Sequence, residues 1–168
     1  MNDDKYWFAL YTKPRHEFKA AEQLKSIDVE HYLPVVSKMK QWSDRKKLIK
    51  EPVISSYIFI RGDEKDRLES LQQDAIIRCL FENGRPAKIP DWQIESLRLM
   101  LDSQSDFYVK NGLVPGQKVK INDGPFKGVI GVIEDSENEK TIAVSVDLLK
   151  RSILAHLPRD SKFEIIKD

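Results

Sequence analysis

The side chains that most often carry catalysis are sparse in this chain. It has three histidines, His16, His31 and His156, and one cysteine, Cys79. They are far apart, and no HExxH or His-x-His pattern occurs, so no zinc-type ligand set is available. No GxSxG elbow, GxxxxGK(S/T) loop or GxGxxG fingerprint is present. Gly124-Pro125-Phe126-Lys127-Gly128 has two glycines but lacks the spacing of a phosphate loop. The carboxylates are plentiful but evenly spread. The sequence therefore points away from an enzyme, and no metal or cofactor is expected. His31 reads as a structural histidine and Cys79 as a small buried hydrophobe.

Two local basic clusters remain. Lys38, Lys40, Arg45, Lys46, Lys47 and Lys50 face only Asp44 within their stretch, and Trp42 lies among them. Such a segment could follow a phosphate backbone and stack on a base. It could equally be a solvated hairpin whose charges keep a sheet edge soluble. Lys13, Arg15 and Lys19 sit where a helix should begin, a place that favours anions. An exposed helix face is the competing account of that cluster.

The elements that must position these residues can be read from periodicity. A strand is predicted over residues 6–12, a helix over 15–27 and a strand over 31–39. A compact strand follows at 57–60, a helix at 64–73 and a strand at 76–81. Asn83-Gly84-Arg85-Pro86 is a turn signal, and Asp91 a candidate N-cap for a last helix. Phe18, Ala21 and Leu24, with Ala20 and Ile27 alongside, give the first helix an apolar stripe. This order predicts an α+β sandwich, helices packed on an antiparallel sheet. Beyond it, five short strands are predicted at 118–121, 129–134, 141–146, 152–157 and 163–166, a pattern suited to a small SH3-like β-barrel. The expected division is a first domain at 1–102, a linker at 103–112 and a second domain at 113–168.

The opening strand is apolar on both faces: Trp7, Ala9 and Tyr11 on one, Phe8 and Leu10 on the other. The strand at 57–60 is likewise apolar on both. Helices can cover one face. The other is closed either by another part of the chain, the 40–50 hairpin or the second domain, or by a partner meeting a patch that contains Tyr11, Tyr57 and Phe59.

Composition narrows the classes. Among 168 residues, 28 Lys+Arg oppose 27 Asp+Glu, a net charge of +1. The chain is not a generally basic nucleic-acid binder, so any such contact must be local. Apolar runs are far shorter than the roughly 20 residues of a membrane span. The polar opening Met1-Asn2-Asp3-Asp4-Lys5 does not read as a signal peptide, and a single cysteine permits no internal disulfide. A cytoplasmic, monomeric protein is expected.

Taken together, four segments resemble the NusG family of transcription elongation factors. These are Trp7-Phe8-Ala9-Leu10-Tyr11-Thr12, Pro52-Val53-Ile54-Ser55-Ser56-Tyr57-Ile58-Phe59-Ile60, Gly84-Arg85-Pro86-Ala87-Lys88-Ile89-Pro90, and a KOW-like stretch from Val119 to Ile133. Leu33-Pro34 and Trp42-Ser43-Asp44-Arg45-Lys46-Lys47 look like the UpxY-type antiterminators, relatives of RfaH. The resemblance implies an N-terminal NGN domain and a C-terminal KOW barrel.

It further implies a factor that docks on the β′ clamp helices of RNA polymerase, reaches towards the β subunit, and suppresses pausing and termination at long operons, often for surface polysaccharide. Carried onto this sequence, Tyr11, Ile54, Tyr57 and Phe59 would meet the clamp helices. Lys13, Arg15, Lys19 and Gln23 would face the non-template DNA strand, with Trp42, Arg45, Lys46 and Lys47 as further nucleic-acid contacts. The KOW turn would be built by Gly124, Phe126 and Gly128, both glycines at positive φ. The KOW domain would bind a small-subunit ribosomal protein or Rho. Ser55-Ser56 stands where the family has Pro-Gly, and Ile54 where it has an aromatic. The segment after Asp63 lacks the His-Thr-rich stretch with which RfaH reaches the β subunit, so no residue is assigned to that contact. The alternative reading is a ribosome-associated RNA-binding KOW protein. The second domain is expected as β-structure, although residues 146–157 could also suit a helix.

Overall fold

The computed structural model describes residues 4–167. The chain divides into two compact units, residues 1–89 and 90–168.

The first unit contains β1 (Tyr6–Thr12), α1 (Glu17–Ser26), β2 (Glu30–Tyr32), β3 (Val35–Gln41), β4 (Lys46–Pro52), β5 (Tyr57–Gly62), α2 (Glu64–Ser70), β6 (Ile76–Cys79), β7 (Phe81–Glu82) and β8 (Arg85–Pro86). Four strands make an antiparallel sheet in the order β2-β5-β1-β6. Phe8 and Leu10 of β1, Ile58 and Ile60 of β5 and Cys79 of β6 pack with Ala20 and Leu24 of α1 into one core. The opposite face is closed too: Trp7, Ala9 and Phe59 are buried. The expected strand at 31–39 is broken at Leu33-Pro34, where β2 leaves the sheet and β3 starts a separate hairpin with β4.

The buried face of α1 is Glu17, Ala20 and Leu24, whereas Phe18 is 41% exposed. The apolar stripe expected through Phe18 is thus rotated by one residue, because a buried acid takes the place at the helix start. Helix α2 is fixed by a capping box: Asp66 N–H donates to Asp63 Oδ1 at 2.9 Å, and Asp63 N–H donates to Asp66 Oδ2 at 3.0 Å.

The second unit contains α3 (Asp91–Asp102), β9 (Phe107–Asn111), β10 (Lys118–Ile121), β11 (Ile130–Asp135), β12 (Lys140–Val146), β13 (Arg151–His156) and β14 (Phe163–Ile165). Its antiparallel sheet runs β14-β10-β11-β12-β13-β9. The five expected strands are all present, and the helix-compatible stretch at 146–157 is strand for most of its length. One expectation needs correction. Asp91 is the first helical residue rather than the cap, since Pro90 occupies the cap position with no side-chain bond. In the structure α3 groups with the second compact unit, where the expected division places it in the first, and residues 107–111 of the expected linker form β9. The reason is polar as well as apolar: Ser96 Oγ accepts from Ile130 N–H at 2.9 Å, and Gln93 Oε1 accepts from Asp147 N–H at 3.2 Å, tying α3 to β11 and to the end of β12. Among the described residues, no helix is long and apolar enough to cross a membrane.

Candidate functional site

Tyr57 and Tyr11 are directly opposite each other on β5 and β1, and Tyr11 is opposite Arg78 on β6. Directly opposed residues share a face of the sheet, so the three side chains form a row across it. The tyrosine rings meet edge to face, with centroids 5.5 Å apart and planes at 63°. The Arg78 guanidinium lies 5.6 Å from the Tyr11 centroid, within cation–π range. Tyr11 and Tyr57 are half-buried and Arg78 is exposed. Ile54 and Phe59, by contrast, are 4% and 0% exposed. A surface containing all four expected residues is therefore reduced to the two tyrosines. Arg78 was not singled out by its sequence context. Its signal was its place on an edge strand opposite Tyr11, which only the strand register reveals.

The backbone leading into Tyr57 is strained and tied down. Ser56 has φ +68°, the left-handed region that favours glycine. Its N–H donates to Glu17 Oε2 at 2.9 Å, and its carbonyl accepts from Thr12 N–H at 2.9 Å. The buried Glu17 thus holds the entry to β5 against the start of α1 and the end of β1. Ser56→Gly is expected to stabilise the first unit by about 0.5–1 kcal/mol by relieving the left-handed strain. Thermal unfolding checks this, and a fall in midpoint would contradict it.

The helix-start cluster has a different organisation from the one expected. Lys13 Nζ and Lys19 Nζ both reach Asp74, at 3.2 and 3.7 Å. The hydrogen bond from Lys13, followed by the charges of Lys13 and Lys19, holds the Asp74 carboxyl below its ordinary pKa. These pairs are present above the ordinary carboxylate range and are lost as the pH falls through the depressed value. Gln23 is not aimed at a ligand through its carbonyl, since Oε1 accepts from Ala75 N–H at 3.0 Å and so anchors the loop carrying Asp74. Arg15 is exposed and has φ +64°.

The second basic cluster lies on the β3–β4 hairpin, paired from Val35↔Pro52 out to Gln41↔Lys46. Trp42 N–H donates to Arg45 C=O at 2.7 Å and closes the turn. Trp42 is 45% exposed, with Lys47 Nζ 4.7 Å from its ring centroid. Arg45 and Lys46 are exposed beside it. Lys38 and Lys40 instead pair with Glu51 at 3.7 and 2.5 Å. The Lys40 hydrogen bond, then the Lys40 and Lys38 charges, lower the Glu51 pKa. The hairpin's remaining positive charge is therefore carried by the exposed Arg45, Lys46 and Lys47 near the tip and by the exposed Lys50 on the stem.

In the second unit, Gly124 and Gly128 have φ +74° and +92°, as a tight turn requires. Phe126 is buried in the core, so it builds the unit and is not presented at the turn. Among the described residues, no group of His, Cys, Asp or Glu side chains is arranged to hold a metal ion.

Comparison with known proteins bears on both units. Residues 5–98 match the family described as NusG, transcription termination factor nusG, and residues 115–147 match the KOW motif. The transcription termination/antitermination protein NusG of Escherichia coli K12 is 36% identical over 72 residues, covering 42% of this chain and 40% of that protein. The protein of the same description from Salmonella typhi matches to the same extent. The matched stretch thus spans less than half the length of these curated relatives. A solved structure titled "Domain interaction in Thermotoga maritima NusG" has 20% identity and a TM-score of 0.51, covering 91% of this chain and 94% of that one. That likeness speaks to the fold.

Proposed function

Since the chain belongs to the NusG family, we propose that it is a transcription elongation and antitermination factor that acts by binding RNA polymerase at the β′ clamp helices. The observation that carries this reading is the Tyr57–Tyr11–Arg78 row. Aromatic and arginine side chains are the residue types that anchor protein interfaces, and here they are half-exposed and held by strand register. Ile54 and Phe59 would support that face from within the core. The protein acts by binding rather than turnover, as a monomer in the cytoplasm.

Lys13, Arg15 and Lys19 would contact the non-template DNA strand, and the Trp42–Lys47 hairpin tip would supply a stacking and phosphate-binding prong. The Trp42-Ser43-Asp44-Arg45-Lys46-Lys47 tip supports placement among UpxY-type specialised factors, and hence action at long operons such as those for surface polysaccharide. The KOW unit would reach a small-subunit ribosomal protein or Rho.

The test is single-round transcription by the cognate RNA polymerase through a terminator, with and without the chain. Increased readthrough is the expected result, and no binding to the elongation complex overturns the proposal. Asp74→Asn releases Lys13 and Lys19 from their shared partner. It is expected to tighten binding to single-stranded DNA and to steepen its salt dependence by about one unit of log–log slope. Unchanged salt dependence in a filter-binding titration would remove these lysines from the DNA surface.

A further inference from the structure

The β3–β4 hairpin has two faces, and strand register sorts its side chains between them. Opposed residues share a face, and so do residues two apart along a strand. One face carries Lys38↔Ile49 and Lys40↔Lys47, with Glu51 two residues beyond Ile49. Its charges have partners: Lys38 and Lys40 pair with Glu51, and Lys47 lies against the Trp42 ring. The other face carries Ser37↔Lys50, Met39↔Leu48 and Gln41↔Lys46. Here Met39 and Leu48 stand side by side, 62% and 59% exposed. Lys46 and Lys50 flank Leu48 two residues to either side, and both are exposed. None of the residues in these three pairs is acidic. The hairpin also forms a sheet of two strands only. A ribbon of that kind is marginally stable in water, and it gains from a cover over an apolar step.

We propose that the Met39–Leu48 face is a docking ledge for an acidic amphipathic helix of a partner protein. Charge complementarity selects the occupant. The ledge is apolar at its centre and positive at both ends, so its complement is apolar at the centre and negative at both ends. A second copy of the same face would set lysine against lysine. Nucleic acid would meet the lysines, but methionine and leucine have no planar ring on which a base can stack, and they would be left facing phosphates. The inference rests neither on the polymerase reading nor on base stacking by Trp42, whose ring contact with Lys47 belongs to the opposite face.

The spacing fixes the pattern of the helix. Lys46 and Lys50 are four residues apart on one strand, about 13 Å at the rise of a strand. Helix positions i and i+7 lie about 10.5 Å apart on one face, with i+3 and i+4 between them. Glutamates at i and i+7 thus come within reach of the long lysine stems, while leucines at i+3 and i+4 cover Met39 and Leu48.

The probe is a fluorescein-labelled, helix-stapled synthetic peptide with that pattern, and its control has glutamine in place of both glutamates. Each is titrated against the full chain by fluorescence anisotropy, and the Met39 methyl resonance is followed by NMR. The wild-type chain is expected to bind the acidic peptide, with the Met39 methyl shifting. Leu48→Ser and the double variant Lys46→Glu/Lys50→Glu should each weaken binding at least about tenfold, as should the glutamine control. These side chains are exposed, so the variants should fold, which far-UV circular dichroism checks. A folded wild-type chain that ignores the peptide overturns the proposal. So does a Leu48→Ser chain that binds as the wild type does, or a glutamine control that binds equally well. A Met39 methyl that shifts with single-stranded DNA, or with the chain's own concentration, and not with the peptide would likewise overturn it.

Discussion

Tyr57→Ala is expected to weaken binding to an RNA polymerase elongation complex by about ten- to a hundredfold, the roughly 1–3 kcal/mol of an interface anchor. Tyr57 is the end of the row. Its loss removes its own contact area and the edge-to-face partner of Tyr11, whose ring sits 5.5 Å away. Tyr57→Phe keeps the ring and its packing, so it should retain most of the affinity. The pair of variants separates aromatic contact from the hydroxyl. Arg78→Ala should cost less, because an exposed cation–π contact is worth about 0.5–1 kcal/mol. The wild-type chain and each variant are compared by titration against the same elongation complex, with far-UV circular dichroism confirming the fold. A folded Tyr57→Ala chain with wild-type affinity would show that the docking face lies elsewhere.

Gly131→Ala is expected to unfold the second unit, at a cost of more than about 3 kcal/mol, beyond the usual penalty of overpacking. A Cβ at this position would lie 2.3 Å from the carbonyl oxygen of Ala143 and 3.1 Å from its carbonyl carbon. Both atoms are backbone, so no rotamer change relieves the clash. Gly131 is on β11, and Ala143 is on β12 opposite Val132. The two central strands would have to separate, and with them the ladder that organises the sheet. Amide exchange resolved by residue should show loss of protection in β10 to β13, with β1 and β5 still protected. A stable, fully protected Gly131→Ala chain would contradict the close approach of β11 to β12.

Much of the architecture was legible because burial imposes a period. β1 and β5 could be read from their apolar residues, and so could the turn at Asn83-Gly84 and strands β10 to β13. β9 could not. Its side chains are largely exposed, so no alternating pattern marks it, and backbone pairing leaves no trace in residue type. The stripe of α1 was misplaced because Glu17, an acid, is buried. It meets Ser56 N–H, a partner far along the chain. The site was legible in its residue types but not in its geometry. Tyr11 and Tyr57 could be named, but their opposition depends on register. Lys13 and Lys19 could also be named, but nothing local announces that Asp74, 61 residues from Lys13, takes both. Ile54 and Phe59 have the same composition signal whether they face a partner or a core.

The β3–β4 hairpin has a consequence for how such a chain can diversify. From Ser37 to Leu48 nearly every side chain is exposed, and the hairpin's own cross-strand pairing holds it together. Substitutions or added residues near Trp42–Arg45 therefore cost the core almost nothing. If the arm reads nucleic acid as proposed, a lineage can rewrite what it recognises while the sheet beneath stays as it is. On that proposal the arm would act as an interchangeable reading head, and grafting its tip between paralogues should move target preference without moving the melting temperature.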